Sequence, residues 1–255
     1  MRELFWLPEL ASEHGVGVDN LIYYVHYLML VLFIGWGFFF VYALFRFRKS
    51  KNPKANYEGL KGHFTTYHEG AIAFLEIILL FALSLPLYAD SIEGFPQENE
   101  STLIRVVAEQ FAWSIHYPGT DKKFGKTDPK FVHPTDNPLG IDKSDPNAKD
   151  DFMTINQLHL PVNKPVIAKI TSKDVIHSFK LPEMRITQDA IPGQEIAITF
   201  KPIKEGKWDI ACAQLCGVGH TKMRGFLTIE SQEVFDKWFT ETSSTAQNAG
   251  SDDEW

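Results

Sequence analysis

Two cysteines, a histidine and a methionine lie within twelve residues in the last quarter of the chain. Cys212 and Cys216 are four residues apart, and His220 and Met223 follow them. Thiolate, imidazole and thioether groups are soft or borderline ligands, and as a set they favour copper. A mononuclear blue-copper site needs one thiolate, whereas two thiolates can bridge two metals. The spacing therefore predicts a binuclear copper centre, which leaves no open position for a substrate and carries electrons.

The two cysteines also have a simpler interpretation. Thiols in an oxidising compartment can form a disulfide, and such a bond would remove both sulfurs as metal ligands. The histidine and the methionine at fixed spacing behind the cysteines favour the copper interpretation.

A copper centre of this kind needs a second nitrogen ligand from outside the loop. The chain has nine histidines, so most of them are not ligands. His177 stands at the end of a predicted strand, three residues after Asp174, and is the candidate for the missing ligand. Met223 suits a weak axial ligand, although a methionine also fills irregular space in a core.

Two long apolar segments precede the polar part of the chain. Apart from tyrosines, residues 21–45 contain one titratable side chain, His26, and residues 70–89 contain one, Glu76. At about 1.5 Å per residue, each segment is long enough to cross a hydrocarbon layer about 30 Å thick. The pattern predicts a transmembrane hairpin over residues 21–90.

The charges around these segments predict their orientation. The loop 46–69 between them is rich in lysine and arginine, Lys61 included, and positive loops stay in the cytoplasm. Both termini then lie on the outer side. The leader 1–20 is acidic rather than basic, so it differs from a signal peptide and we expect it to stay attached. Trp6 indicates that the leader lies at the membrane surface.

The rest of the chain is predicted to form an all-β domain over residues 91–239. Short runs of β-branched and aromatic residues alternate with turn residues, which is typical of a sandwich or barrel. Residues 118–151 are predicted to be an inserted surface loop, 231–239 a short helix, and 240–255 a disordered acidic tail. The clearest predicted strands are 103–107, 111–117, 166–171, 196–200, 208–211 and 226–229.

The chain carries an excess of negative charge. Its net charge of −7 argues against nucleic acid as a partner. Residues 91–255 contain 24 acidic against 18 basic side chains, and an acidic surface suits a basic electron donor.

Three motifs together resemble subunit II of the haem–copper cytochrome c oxidases. They are residues 171–179, residues 188–193 and the cysteine loop 212–223. The resemblance implies a two-helix transmembrane hairpin followed by an all-β cupredoxin-like Greek-key barrel that holds two copper ions, the CuA centre. The ligands that it implies are His177, Cys212, the backbone carbonyl of Gln214, Cys216, His220 and Met223.

The same resemblance implies a role and a location. Such a subunit accepts electrons from cytochrome c and passes them to haem in subunit I, where O2 is reduced to water. The implied partners are the haem-bearing subunit I, the other oxidase subunits, cytochrome c and the lipid bilayer. The implied location is a bacterial inner membrane, with the copper domain and both termini in the periplasm. No catalytic residue is expected in this chain, because the oxygen chemistry belongs to subunit I.

The chain departs from the pattern of this family near the copper site. Gln214 stands where the family has a glutamate, whose side chain the resemblance implies to be a ligand for magnesium. An amide is a poorer ligand for a hard cation than a carboxylate, so we expect magnesium binding in this chain to be weak or absent. Phe111 stands where the family has an exposed tryptophan, which the resemblance implies to be the point where electrons enter from cytochrome c. Trp113, the second tryptophan of the family pattern, is retained. Both rings are electron-transfer candidates, or they pack the barrel as ordinary strand residues.

Two glutamates are candidates for the entry of a proton path in subunit I. Glu69 matches the family by position, and Glu76 matches by its local sequence and by lying inside a span, where an acid is costly. The two are seven residues apart and therefore share a helix face.

Two alternatives to an oxidase subunit remain. A CuA subunit of a nitric oxide reductase differs in its partner chain rather than in its own residues. A membrane-anchored copper chaperone of the thioredoxin type would have one span and a βαβ pattern.

Overall fold

A computed structural model describes residues 5–54, 57–59 and 62–249. The first residues of the predicted leader, Lys61 of the basic loop and residues 250–255 of the predicted tail lie outside this range. The described chain divides into two compact units. One unit comprises residues 17–90, and the other comprises the N-terminal segment together with residues from 91 onward.

The first unit contains the two predicted spans. Helix α1 is Gly15–Arg46, and the second span consists of α2 (Phe64–Ile78), a π-helical turn (Leu79–Ser84) and α3 (Leu85–Glu93). The first helix has 32 residues and the second apolar stretch, which ends at residue 92, has 29, so both are long enough to cross a membrane. Both helices are therefore candidate membrane spans, as the sequence predicted.

The second span begins earlier than the apolar run alone indicated. The hydrogen-bonded helix starts at Phe64 rather than at Gly70, because the more polar residues before the apolar segment extend its helical backbone hydrogen bonds. The wider π-turn ends two residues before Pro86, which has no N–H to donate to the preceding turn.

The second unit is an all-β domain of two five-stranded sheets. The first sheet has the order β3-β2-β1-β5-β8, and the second has the order β4-β10-β9-β6-β7. Most pairs are antiparallel, but β1 pairs with β5 and β4 with β10 in parallel. The strands are β1 (Thr102–Glu109), β2 (Ala112–Tyr117), β3 (Phe152–Ile155), β4 (Gln157–Pro161), β5 (Val166–Ser172), β6 (His177–Leu181), β7 (Ile186–Ala190), β8 (Ile196–Phe200), β9 (Gly206–Cys212) and β10 (Arg224–Glu230).

The predicted fold class, a transmembrane hairpin followed by an all-β cupredoxin-like domain, is confirmed. One core lies between the sheets, and Trp113, Phe179, Ile104 and Leu158 are among its fully buried side chains. All six predicted strands are present. The clearest predicted strands do not include β3, β4, β6 and β7, since these segments are four or five residues long and mix apolar with polar side chains. A strand was predicted to end at His177, whereas β6 begins there.

A buried pair ties the inserted loop 118–151 to the first sheet. The Nε2 atom of His116 on β2 lies 2.7 Å from a carboxylate oxygen of Asp151, and both side chains are fully buried. The backbone N–H of Gly125 donates to the same oxygen, and the Phe124 ring lies against His116 at 5.0 Å between centroids. Burial lowers the pKa of the His116 imidazole, and the interaction with Asp151 offsets only part of this effect.

This pair makes the stability of the domain depend on pH. Because the pKa of His116 is lowered by folding, the unfolded chain takes up a proton first as pH falls through the ordinary histidine value of about 6.5. We therefore expect the free energy of unfolding to fall between pH 7 and pH 5.5, by at most about 1.4 kcal/mol per pH unit. Urea unfolding followed by tryptophan fluorescence measures this slope.

A comparison of two histidine variants isolates the effect. His116→Gln is expected to flatten the slope, whereas the matched variant His133→Gln, at a site 61% exposed, is expected to leave it unchanged. An equal slope in the native chain and in His116→Gln would contradict the assignment.

The C-terminal helix is longer than predicted, and here the prediction of a disordered tail is wrong for residues 240–249. Helix α4 runs through Gln232–Ala249. Phe235, Trp238 and Phe239 share one face at helical spacing and pack on the β-domain. The Trp238 ring stacks on His159 at 4.1 Å between centroids. This apolar face attaches the first turns of the helix to the sheet, and the polar residues after it extend the backbone hydrogen bonds of the helix. The overall polarity of the segment hides the apolar face in the sequence.

The leader lies against the β-domain over residues 8–13. The backbone N–H of Ala11 donates to the carbonyl of Glu183, and the Ser12 hydroxyl donates to the carbonyl of Met184. Ala11 and Ser12 are fully buried, while Trp6 is 92% exposed. A membrane-surface position thus stays a prediction for Trp6, whereas residues 8–13 belong to the β-domain.

Candidate metal centre

Three strand ends place the predicted ligands together. Strand β6 begins at His177, β9 ends at Cys212, and Met223 immediately precedes β10. Because β6 and β9 are hydrogen-bonded neighbours with Phe179 opposite Cys212, the start of one strand lies beside the end of the other. The loop from Cys212 to Met223 then folds back over this edge, with a short 3-10 turn starting at His220.

The two sulfurs lie at the middle of the cluster. Cys212 Sγ and Cys216 Sγ are 3.8 Å apart, and both are free thiols rather than the disulfide considered from the sequence. Cys216 Sγ lies 3.6 Å from His220 Nδ1 and 3.8 Å from Met223 Sδ. His177 Nδ1 lies 3.1 Å from Met223 Sδ and 4.0 Å from Cys212 Sγ. The fold therefore brings all the predicted side-chain ligands together.

The backbone carbonyl of Gln214 joins this cluster. It accepts a hydrogen bond from the Cys212 thiol at 3.2 Å, which places an oxygen next to the first sulfur. The Gln214 side chain is exposed. The carbonyl and the side chain of this residue can therefore serve different purposes.

The cluster is shielded from water on one side. His177 is fully buried, and Cys216 and Met223 are 4% and 3% exposed. Burial and the nearby Cys212 thiol raise the pKa of Cys216 to about 11. Its thiolate therefore needs a bound cation, because metal binding replaces the thiol proton. The ligand atoms of His177, Cys212 and Cys216 lie within 4.8 Å of one another, so these residues can hold a metal ion.

Asp174 orients the buried histidine. Its Oδ1 atom lies 2.9 Å from His177 Nε2. Burial disfavours the charge on Asp174, but hydrogen bonds from His177 and from the backbone of Gln110 and Val175 outweigh it and lower the pKa of the carboxyl. An ionised Asp174 accepts a hydrogen bond from the Nε2–H group and leaves Nδ1 as the nitrogen that faces the sulfurs, as is usual for histidine ligands of metals.

The turn between β1 and β2 covers the cysteine loop. The Phe111 ring lies so close to the loop that a Cβ atom at Gly219 would be 2.4 Å from it, and one at Gly217 would be 3.1 Å away. Phe111 is partly buried by this contact. An aromatic residue of the predicted electron port thus covers the candidate metal site.

The structure limits the role of the other aromatic candidate. Trp113 is fully buried in the core, with its ring 6.2 Å from the ring of His177. It therefore cannot touch a protein donor at the surface, and its place agrees with the alternative that it packs the barrel. Of the two candidates, only Phe111 has exposed atoms.

Glu69 and Glu76 lie on α2, in the helical unit, and have no part in this cluster. Gln110 contacts Cys216 of the cysteine loop through its side chain and Asp174 through its backbone N–H. The sequence does not reveal these contacts, because the partners are 106 and 64 residues away.

Comparisons with known proteins identify the family. Residues 102–231 match the family model of the cytochrome c oxidase subunit II periplasmic domain. The chain is 27% identical over 247 residues to the alternative cytochrome c oxidase subunit 2 of Bradyrhizobium diazoefficiens, covering 96% of this chain and 87% of that protein. It is 26% identical over 215 residues to cytochrome c oxidase subunit 2 of Cereibacter sphaeroides, covering 78% and 67%.

The crystal structure of the periplasmic domain of cytochrome oxidase subunit II (CoxB) of Bradyrhizobium japonicum is 28% identical, with a TM-score of 0.43, and the match covers 59% of this chain and 97% of that one. The family model spans half of the chain and contains all the candidate metal ligands. The chain thus belongs to the cytochrome c oxidase subunit II family, as its sequence motifs predicted.

Proposed function

We propose that this chain is the electron-entry subunit of a membrane haem–copper oxidase and that its outer domain holds a binuclear copper centre. The observation that carries the proposal is the convergence of two thiols 3.8 Å apart with two imidazoles, a thioether and a backbone carbonyl. This donor set is soft and offers two sulfurs that could bridge two metals, which fits copper in either of its common oxidation states.

The distances suggest how the ligands divide. His177 and Met223 lie together at 3.1 Å and would serve one copper, while His220 and the carbonyl of Gln214 would serve the other. A copper pair, when bound, supplies a store for one electron. The protein contributes a rigid frame, because three ligands are anchored at strand ends in a hydrogen-bonded sheet. A frame that does not rearrange between charge states favours rapid electron transfer.

Exposed apolar residues surround the candidate centre and suit a docking surface for a protein donor. Leu215 is 78% exposed and Val218 fully exposed on the cysteine loop, and Val175 and Ile176 are exposed just before His177. The surrounding domain is acidic overall. We propose that a basic cytochrome c docks here, next to Phe111, and that electrons pass on to haem in subunit I.

The helices and the family support a particular membrane arrangement. The β-domain, matched by the model of a periplasmic domain, lies on the outer side of the membrane. We propose that the loop 46–69 lies in the cytoplasm of a bacterial cell and that both termini lie in the periplasm. We also propose residues 21–90 as the membrane hairpin, residues 91–239 as the copper domain, and weak or no magnesium binding at Gln214.

Copper analysis and electron paramagnetic resonance of the intact purified complex test the proposal. We expect two coppers per chain in the outer domain and a hyperfine pattern from one electron shared by two copper nuclei. One copper or none per chain, or a cysteine disulfide in freshly isolated material, would contradict the proposal.

Two further measurements decide between the alternatives. The identity of the large subunit that copurifies, with turnover measured on O2 and on NO, separates an oxidase from a nitric oxide reductase. A thioredoxin-type chaperone is disfavoured already, because the outer domain consists of two packed β-sheets rather than a βαβ unit.

The two glutamates of α2 give a separate prediction about proton supply. A group that relays protons contributes about a hundredfold or more to rate, so loss of the acid that serves the path is expected to lower O2 turnover by at least about tenfold. Glu69→Gln and Glu76→Gln are matched controls for each other, since we expect a large loss in one of them only. Near-native turnover in both variants would remove the proton-path proposal.

A further inference from the structure

Gln110, in the turn between β1 and β2, contacts both segments that carry the candidate copper ligands. Its side-chain Nε2 donates to the backbone carbonyl of Cys216 at 2.5 Å. Its backbone N–H donates to Asp174 Oδ2 at 2.7 Å. One residue therefore connects the cysteine loop with the segment that leads to His177.

These contacts belong to a continuous chain of hydrogen bonds. Asp174 uses its other oxygen to accept from His177 Nε2 at 2.9 Å. The chain runs from His177 through Asp174 and Gln110 to the peptide of Cys216, and so joins a nitrogen ligand to a sulfur ligand without passing through the metal. Cys216 is buried, and a buried ligand depends on its neighbours for its position.

Packing holds the loop against the same turn. A Cβ atom at Gly217 would lie 2.6 Å from Gln110 Nε2, so the loop backbone passes directly over this side chain. Gly217 has a φ of +139°, a conformation that favours glycine, and this conformation allows the close approach. The turn and the loop therefore fit together as two complementary surfaces.

We propose that Gln110 is a positioning residue, which fixes the Cys216 thiolate relative to His177 and thereby sets both the retention and the electronic symmetry of the copper pair. The inference rests on the proposed binuclear centre. An amide donor matters here because the Cys216 carbonyl accepts it, and a carboxylate of the same shape would offer only acceptors. Loss of the donor frees the loop peptide and changes the Cys216 sulfur position relative to the two metals.

The test compares three variants in the intact oxidase complex. Gln110→Glu keeps the size of the side chain and removes the donor, and Gln110→Ala removes the whole side chain. Gln157→Ala is the matched control, because Gln157 is exposed on β4 of the same domain. The readouts are the rate of copper loss to a Cu(I) chelator, the hyperfine pattern and the midpoint of urea unfolding.

We expect both Gln110 variants to lose copper about three- to tenfold faster than the native complex, as the loss of one hydrogen bond implies. We also expect an altered hyperfine pattern, with an unfolding midpoint close to that of Gln157→Ala. A native rate and pattern in Gln110→Glu would overturn the inference. Faster loss that only follows a lowered unfolding midpoint would overturn it as well, because the residue would then be a general structural support.

The native complex separates this inference from the proposed function. If the native protein holds two coppers and the Gln110 variants match it, only the role of Gln110 fails. If the native protein holds no copper pair, both proposals fail.

Discussion

Replacing Cys212 by serine is expected to abolish the copper pair and to lower electron transfer from cytochrome c by at least about a hundredfold. Loss of a group that merely supports a metal ligand already lowers metal affinity or activity about 10- to 100-fold, and Cys212 is proposed as a bridging ligand itself. The hydroxyl of serine does not ionise near neutral pH and is a hard donor, so it does not replace a thiolate for copper. Copper content and cytochrome c oxidation by the purified complex measure the effect.

The variant Ala213→Ser is the matched control for this experiment. It adds a hydroxyl to an exposed residue next to Cys212 and leaves both sulfurs in place, so copper content and turnover should stay near native. Assembly with the large subunit should also be retained in Cys212→Ser, because the sheets that form the core do not depend on the thiol. Two coppers and native turnover in Cys212→Ser would contradict the ligand assignment.

The second large effect is expected at Gly219. An alanine there would place its Cβ 2.4 Å from the Phe111 ring, so either the ring or the cysteine loop must move. Overpacking of this kind costs about 1 to 3 kcal/mol. If the loop moves, copper affinity falls by about ten- to a hundredfold, since about 1.4 kcal/mol corresponds to a factor of ten. Competition with a Cu(I) chelator of known affinity measures the change.

A second substitution shows whether the ring causes the loss. Phe111→Ala removes the group that the new methyl meets, so the double variant Gly219→Ala with Phe111→Ala should recover most of the copper affinity. Double-variant cycles isolate such a pairwise effect when the two residues are in contact. An equal loss of affinity in the single and double variants would mean that the glycine is needed for a reason unrelated to Phe111.

These two experiments examine features that the sequence reveals to different degrees. The cysteine loop was predictable because ligand chemistry resides in residue types and spacing, and Cys212, Cys216, His220 and Met223 lie in one short segment. The crowding between Gly219 and Phe111 was not predictable, because the two residues are 108 positions apart along the chain. Only the folding of the β1–β2 turn over the loop creates that contact.

The secondary structure shows a similar division. Strand Ile196–Phe200 was predicted with its correct ends, since large apolar residues alternate with smaller ones along its sequence. Strand His177–Leu181 was not among the clearest predicted strands, although it carries a proposed copper ligand, because a five-residue segment with alternating polar residues has little signal of its own. The extension of α4 to Ala249 was missed because aromatic residues near its start attach the helix to the sheet, an interaction between distant segments.

The sequence by itself determined the membrane hairpin, the all-β class, the family and the set of candidate ligands. Each of these depends on local composition or on motifs within short segments, and all the candidate ligands except His177 lie in one such segment. Only the tertiary structure decided that Trp113 is buried while Phe111 covers the site, and that Gln110 joins the two ligand segments. Burial and contact depend on which strands become neighbours, and that choice is made by the packing of the whole core rather than by any one motif.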